Sequence, residues 1–151
     1  MPTNAAFYEQ DFYQWTQEQA ALLREGAWQD LDGTNLAEEV ESLGKRDRRE
    51  LGSRLQTLLM HLLKWRYEPA DRSGSWRGTI RTARREIAAV LADSPSLRRQ
   101  VPAMLTTGYA DARLDASEET GLPLRTFPEV CPWTAEQVLN GDFWPEEEPT
   151  P

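Results

Sequence analysis

A single cysteine and a single histidine in 151 residues remove whole classes of chemistry before any pattern is read. With Cys131 alone, no internal disulfide can form and no multi-cysteine metal site can be built; between Val130 and Pro132 it reads as a packed thiol. With His61 alone, the two Glu-x-x-His pairs of a helical di-metal carboxylate site are out of reach, and the residue three before His61 is Leu58. No Gly-x-Ser-x-Gly elbow is present, and GSWRGT lacks the glycine spacing and the lysine of a phosphate-binding loop. No apolar run approaches the roughly 18 residues that would cross a bilayer. The N-terminus lacks the basic and apolar regions of a signal peptide, so the expectation is a cytoplasmic protein with no membrane association, no metal and no cofactor.

What is present suffices for a core. Hydrophobic residues make up 39% and charged residues 28%, with six tryptophans, which is a folded rather than a disordered composition. The length suits a single domain over residues 1–151, with an ordered core from about 8 to 144 and looser ends at 1–5 and 145–151. The net charge of −8 conceals a division. Residues 1–42 hold nine acids and one base, residues 43–100 fourteen bases and six acids, and residues 101–151 ten acids and two bases. Opposite blocks of this kind can compensate one another within one molecule or across a dimer, or the basic block can face an anionic partner.

Apolar residues recur at spacings of three and four, hardly ever in alternation, so the chain reads as all-α: a compact bundle of five to six helices. A first helix is expected over about Tyr8–Glu25, closed by Gly26. A second starts near Asn35, with Glu38 reaching back to its cap, and ends at Gly44. The third, about Arg46–Tyr67, has the clearest stripe, Leu51, Leu55, Leu58, Leu62 and Trp65, and stops before Pro69. A fourth, capped by Ser75, buries Trp76, Ile80, Ala83 and Ile87. Ser94 and Pro95 open the next stretch; Pro102 kinks or restarts it, and Leu105, Tyr109 and Ala112 carry it towards Gly121. The segment LPLRTFPEVCPW has three prolines and no period, which predicts an irregular C-terminal wrap. A short helix then opens at Thr134 with Gln137, and GDFWP supplies two anchoring aromatics.

Six blocks occur in order: DFYQWTQEQAALLREG, NLAEEVESLG, LLMHLLKWRYEP, SGSWRGTIRTARREI, DSPSL and FPEVCPW. Together they resemble the bacterial domain-of-unknown-function family twenty-nine over about Tyr8 to Trp144. The resemblance implies a cytoplasmic, largely helical bacterial protein and implies no activity, so it assigns no catalytic residue.

The chemistry-bearing residues cluster in HLLKWRYEP and on the fourth helix. His61 falls at the border of the apolar stripe, where an imidazole serves either as a hydrogen-bonded packing group or as an acid–base group. Lys64 falls about a hundred degrees round from Trp65, on the outer side. Glu39 sits at the core margin of its helix and needs a cation or donors; Arg84, at the margin of the fourth helix, is a candidate partner. A ligand or enzymatic pocket would gather Glu39, His61, Trp65 and Trp76. Arg77, Arg81 and Arg84 share a face and form a ridge that could contact phosphates, although a sequence pI near 4.7 disfavours nucleic acid. The reading that best fits the whole is a non-enzymatic protein-interaction or scaffold module that binds a protein partner or a second copy of itself, its charged faces selecting which.

Overall fold

The computed structural model describes residues 4–146, with side chains from Ala6 onward. The two ends expected to be loose lie largely outside the described residues, as do Glu147 and Glu148 of the acidic tail. The protein is all-α, as its periodicity requires: six α-helices and four short 3-10 turns follow one another, with no strand among the described residues. The chain divides into two compact units, residues 1–46 and residues 47–151.

In the first unit the expected single helix is two. Helix α1 spans Asn4–Gln10 and α2 spans Phe12–Glu25. Asp11 lies between them in a non-helical conformation, and its carboxylate accepts the amide hydrogen of Gln14 at 3.0 Å. An aspartate satisfies exposed amides at a helix start better than it does mid-helix, so the chain restarts there. Gly26 closes α2 at φ 73°, a left-handed conformation that suits glycine. Its amide reaches Leu23 O at 3.2 Å and the Ala27 amide reaches Leu22 O at 2.9 Å, which satisfies the last carbonyls.

Helix α3 spans Gly33–Tyr67, replacing the two helices expected on either side of Gly44. Gly44 keeps a negative φ, and a Cβ placed there would meet nothing within 4 Å. One glycine costs a helix roughly 1 kcal/mol, which long helix-forming flanks absorb. The start also differs from expectation. Asp32, not Asn35, caps it: Asp32 Oδ1 accepts the Asn35 amide at 3.4 Å, and Leu36 N–H reaches Asp32 O at 2.9 Å.

The second unit holds one continuous core. Leu51, Leu55, Leu58 and Leu62 of α3 are buried with Ile80, Ile87 and Leu91 of α4 (Gly74–Asp93). Val101, Leu105, Tyr109 and Ala112 of α5 (Val101–Thr120) complete it. Helix α3 ends before Pro69 and α5 ends at left-handed Gly121, both as the sequence requires. The α4 cap falls on Ser73, whose Oγ accepts the Trp76 amide at 3.2 Å; Ser75 is already inside the helix.

After Gly121 the chain is irregular, and side chains of α5 bind its backbone. Tyr109 donates its hydroxyl to Pro128 O, Arg113 Nε to Phe127 O at 3.0 Å, and Ser117 Oγ to Leu122 O at 2.7 Å. A segment with no ladder of its own must find partners for its buried carbonyls elsewhere, and α5 provides them. Thr134 and Gln137 then form the expected capping box of α6 (Ala135–Leu139).

Candidate functional site

The residues singled out in the sequence distribute over two arrangements. Around Trp65, in the second unit, aromatic and cationic side chains alternate. The Trp65 and Trp144 ring centroids lie 4.7 Å apart. Arg72 stands 4.9 Å and Arg77 5.2 Å from the Trp65 centroid; Arg77 is also 5.1 Å and Arg84 5.7 Å from that of Trp144. Arginine stacks on indole through both its charge and its flat guanidinium, so these contacts pack the seam and set cationic groups against the ring faces. Arg72 is fixed further by donating Nε–H to Trp65 O at 2.7 Å.

Arg84 is the member that the sequence misplaced. It was expected to extend an exposed ridge or to clamp Glu39, yet it is buried beneath α6. There it donates Nε–H to Val138 O at 2.9 Å and Nη2–H to Gln137 O at 3.4 Å. Burial lowers its pKa from the usual arginine value. Arg77 and Arg81 are exposed, so the expected three-arginine ridge is reduced to two on its outer face. Arg84 Nη1 and Trp65 Nε1 are buried with no hydrogen-bond partner among the described residues.

Lys64 also departs from expectation. It is buried, pairs with Glu119 at 2.8 Å and lies 4.7 Å over the Trp76 ring. Its long stem covers apolar surface while its ammonium reaches the half-exposed carboxylate.

His61 stays on the border of the stripe. It is half-buried, and its Nδ1 donates to Thr57 O, four residues earlier, at 2.9 Å; a carbonyl can only accept, which fixes the proton on Nδ1. Burial holds its pKa below the usual 6.5, against the opposing pull of that hydrogen bond; Lys64 lowers it and Glu119 raises it. Cys131, half-buried, has its thiol pKa raised by burial and donates weakly to Trp133 O at 3.5 Å. Among the described residues no three His, Cys, Asp or Glu side chains come close enough to hold a metal ion.

Glu39 belongs to the first unit and is spent there. Tyr8 donates its hydroxyl to Glu39 Oε1 at 2.6 Å, and this bond leads the causes that push the Tyr8 pKa up to about 12. The hub of that unit is a residue the sequence reading passed over, Asp32. Its Oδ2 accepts from Trp15 Nε1 at 3.0 Å and from Asn35 Nδ2 at 2.8 Å, while its amide donates to Gln19 Oε1 at 2.8 Å. These donors hold the Asp32 carboxyl below its usual 3.8, the Asn35 side chain foremost. The signal was legible in part: an Asp-Gly pair directly before a helical run marks a cap.

Around this hub Tyr8, Phe12 and Trp15 form an aromatic cluster, with centroids 4.9–5.8 Å apart. Much of the unit's apolar surface faces outward. Tyr13 is 72% exposed, Trp28 and Val40 65%, and Leu43 59%, with Phe12 and Leu23 nearly half exposed.

These features define an all-helical protein in which a filled tryptophan–arginine seam and an acidic unit bearing exposed aromatics are the two distinctive arrangements. The chain belongs to the family described as Domain of unknown function DUF29, which matches residues 7–144. No curated protein and no solved structure matches it.

Proposed function

We propose that the protein is a non-enzymatic protein-interaction module of the bacterial cytoplasm and that its acidic first unit carries the contact surface. The observation behind this reading is the exposure of Tyr13, Trp28, Val40 and Leu43 within 46 residues. Aromatic residues are enriched at protein interfaces, and clusters of exposed apolar side chains on an otherwise charged unit mark contact sites. Acids nearby would select a partner of opposite charge and speed its approach.

The seam residues support the same reading from the other side. Trp65, Arg72, Arg77 and Trp144 are packed against one another, and His61 is committed to the main chain of its own helix. An enzymatic pocket around His61, Trp65 and Trp76 would need converging polar groups with room between them. Nucleic-acid binding would need the ridge of Arg77, Arg81 and Arg84, of which the last is turned onto α6.

The test is a comparison of the wild-type chain with Tyr13→Ser/Trp28→Ser in a stoichiometric pull-down at low and physiological salt. The reading expects a partner held by the wild type and lost by the variant at unchanged helix content. A wild-type chain that stays monomeric and captures nothing sinks it.

A further inference from the structure

One groove of the second unit carries uncompensated charge at both of its ends. It opens between α3 and α5 with a volume of about 460 Å³, inside the range of about 300–1,000 Å³ that small ligands occupy. Gln56 Nε2 donates to Asp115 Oδ2 at 3.3 Å, and further along both helices Lys64 pairs with Glu119, so α3 and α5 run the same way side by side. Arg48 of α3 and Arg99, just before α5, border one end of the groove. Asp111, about 15 Å beyond the start of α5 at a rise of about 1.5 Å per residue, borders the other.

We propose that this groove binds a short peptide with free ends, about three residues long, its carboxylate on Arg48 and Arg99 and its ammonium on Asp111. The charges at the two ends carry the assignment. Arg48, Arg99 and Asp111 are exposed, and their side chains make no ion pair and no hydrogen bond among the described residues. A simple anion would suit the arginines but meet Asp111, with Asp115 beside it; a simple cation would suit Asp111 but meet the arginines. A ligand charged oppositely at its two ends suits both. Three extended residues span about 10 Å, and the long arginine side chains take up the remaining distance. At neutral pH a free peptide carries both charges, because its amine titrates at about 8 and its carboxyl at about 3.5.

The walls between those ends suit a main chain. Gln100 is partly buried, and its side-chain amide has no partner among the described residues; Gln56 Oε1 accepts nothing while its Nε2 is held by Asp115. Together they offer the donors and acceptors that peptide groups need. Gly52 and Gly108 line the groove from α3 and α5, and a backbone without a Cβ lets a ligand approach closely. Packing within the chain requires neither glycine: a Cβ at Gly52 would meet nothing within 4 Å, and one at Gly108 only Gln56 Cβ at 4.0 Å. Met104 supplies apolar surface between them. The groove uses no residue of the first unit, so it stands apart from the contact surface proposed there.

Exposed ion pairs contribute little, so the expected affinity is weak, with a Kd of about 1 mM. Titrating the isotope-labelled full chain with tri-alanine to about 10 mM and following amide chemical shifts reads it. Shifts are expected at Gly52, Gln56, Gln100 and Gly108. Amidating the carboxylate of the peptide or acetylating its amine weakens binding at least about threefold. Arg48→Gln/Arg99→Gln binds the free and amidated peptides alike, and Asp111→Asn the free and acetylated ones, because each variant lacks the partner of the blocked end. Gly52→Leu fills the groove and abolishes binding with unchanged circular dichroism. ω-Aminooctanoate, of similar length with both end charges and no amides, binds at least about threefold more weakly than tri-alanine. Equal binding of the two overturns the peptide as occupant. Absence of any shift at the highest concentration overturns the proposal. So does a doubly blocked peptide that binds as well as the free one, or discrimination between the ends that survives these substitutions. None of these failures touches the interaction reading, which the Tyr13 and Trp28 variants test on other residues.

Discussion

Trp144 packs its ring 4.7 Å from that of Trp65, so the irregular C-terminal segment is joined to α3 by two indoles with Arg77 stacked against both. Trp65 is almost wholly buried and Trp144 half-buried, and a half-buried indole contributes less than a core one. Trp144→Ala should therefore cost about 1–3 kcal/mol, below the usual range for a fully buried tryptophan. Urea unfolding gives the figure, and a red shift of the remaining tryptophan emission shows Trp65 becoming wet. Trp144→Phe should recover most of the loss.

Arg84 tests whether the seam is structural. Its Nε–H and Nη2–H satisfy Val138 O and Gln137 O. Removing the donors takes from Val138 O its arginine partner, while Gln137 O keeps the Asn140 amide at 3.3 Å, so the cost is about 2 kcal/mol, that of one buried acceptor left unsatisfied. Arg84→Met should lower the melting temperature. Arg84→Lys should not restore it, because an ammonium cannot reproduce the forked geometry. A lysine variant as stable as the wild type would show that charge alone suffices there.

The sequence made the helices readable where period and punctuation agreed. The Leu51–Trp65 stripe, the stop before Pro69, the left-handed ends at Gly26 and Gly121 and the Thr134–Gln137 box all follow from local chemistry. It misled where one residue type serves two purposes. Gly44 can end a helix or be carried through one, and the choice depends on the flanks rather than on glycine. Asp11 breaks a run whose apolar spacing continues across it, because a cap is a property of one carboxylate and not of a period. The site was less legible still. Wheel geometry placed Arg84 at a margin but could not say that α6, some fifty residues on, would supply the carbonyls it meets, nor that Lys64 would turn inward to Glu119. Helix pairing is a long-range outcome that spacing within one helix does not encode.

Continuity of α3 has a direct check. With open space around Gly44 and a negative φ, Gly44→Ala should stabilise the protein by about 0.4–1 kcal/mol. Gly26→Ala should do the reverse, costing on the order of 1 kcal/mol, since φ 73° strains any residue with a Cβ. Thermal melts of the two variants, run side by side, distinguish one continuous helix from two separated at Gly44.

Asp32 ties α2 to the start of α3, so Asp32→Ala should cost about 1–2 kcal/mol, the range of a lost helix cap. Its carboxyl titrates below 3.8 in the folded chain. The ionised form is therefore favoured by folding: its contribution is complete above 3.8 and is lost as pH falls through the lower folded value. Acid unfolding of the wild type and the alanine variant should converge at the acid end, since protonation removes what the substitution has already removed. Curves that stay parallel to the lowest pH would deny that ionised Asp32 holds the hub.

His61 gives the opposite end of the pH range. Folding lowers its pKa below 6.5 by burial, so the folded chain prefers the neutral ring and the unfolded chain binds the proton more readily. The contribution of the imidazole is thus complete above 6.5 and declines as pH drops from 6.5 towards the lower folded value. His61→Gln lacks that titration, and the exposed edge of the site tolerates a side chain of similar polarity. Between pH 7.5 and pH 5 the wild type should lose more stability than the variant, measured as the difference in urea midpoints. At pH 7.5 the two should lie within about 1 kcal/mol, the cost of one main-chain hydrogen bond from Nδ1 to Thr57 O. Equal pH slopes would mean that the ring is solvated in the folded protein, which would reopen its use as an acid–base group at the border of the seam.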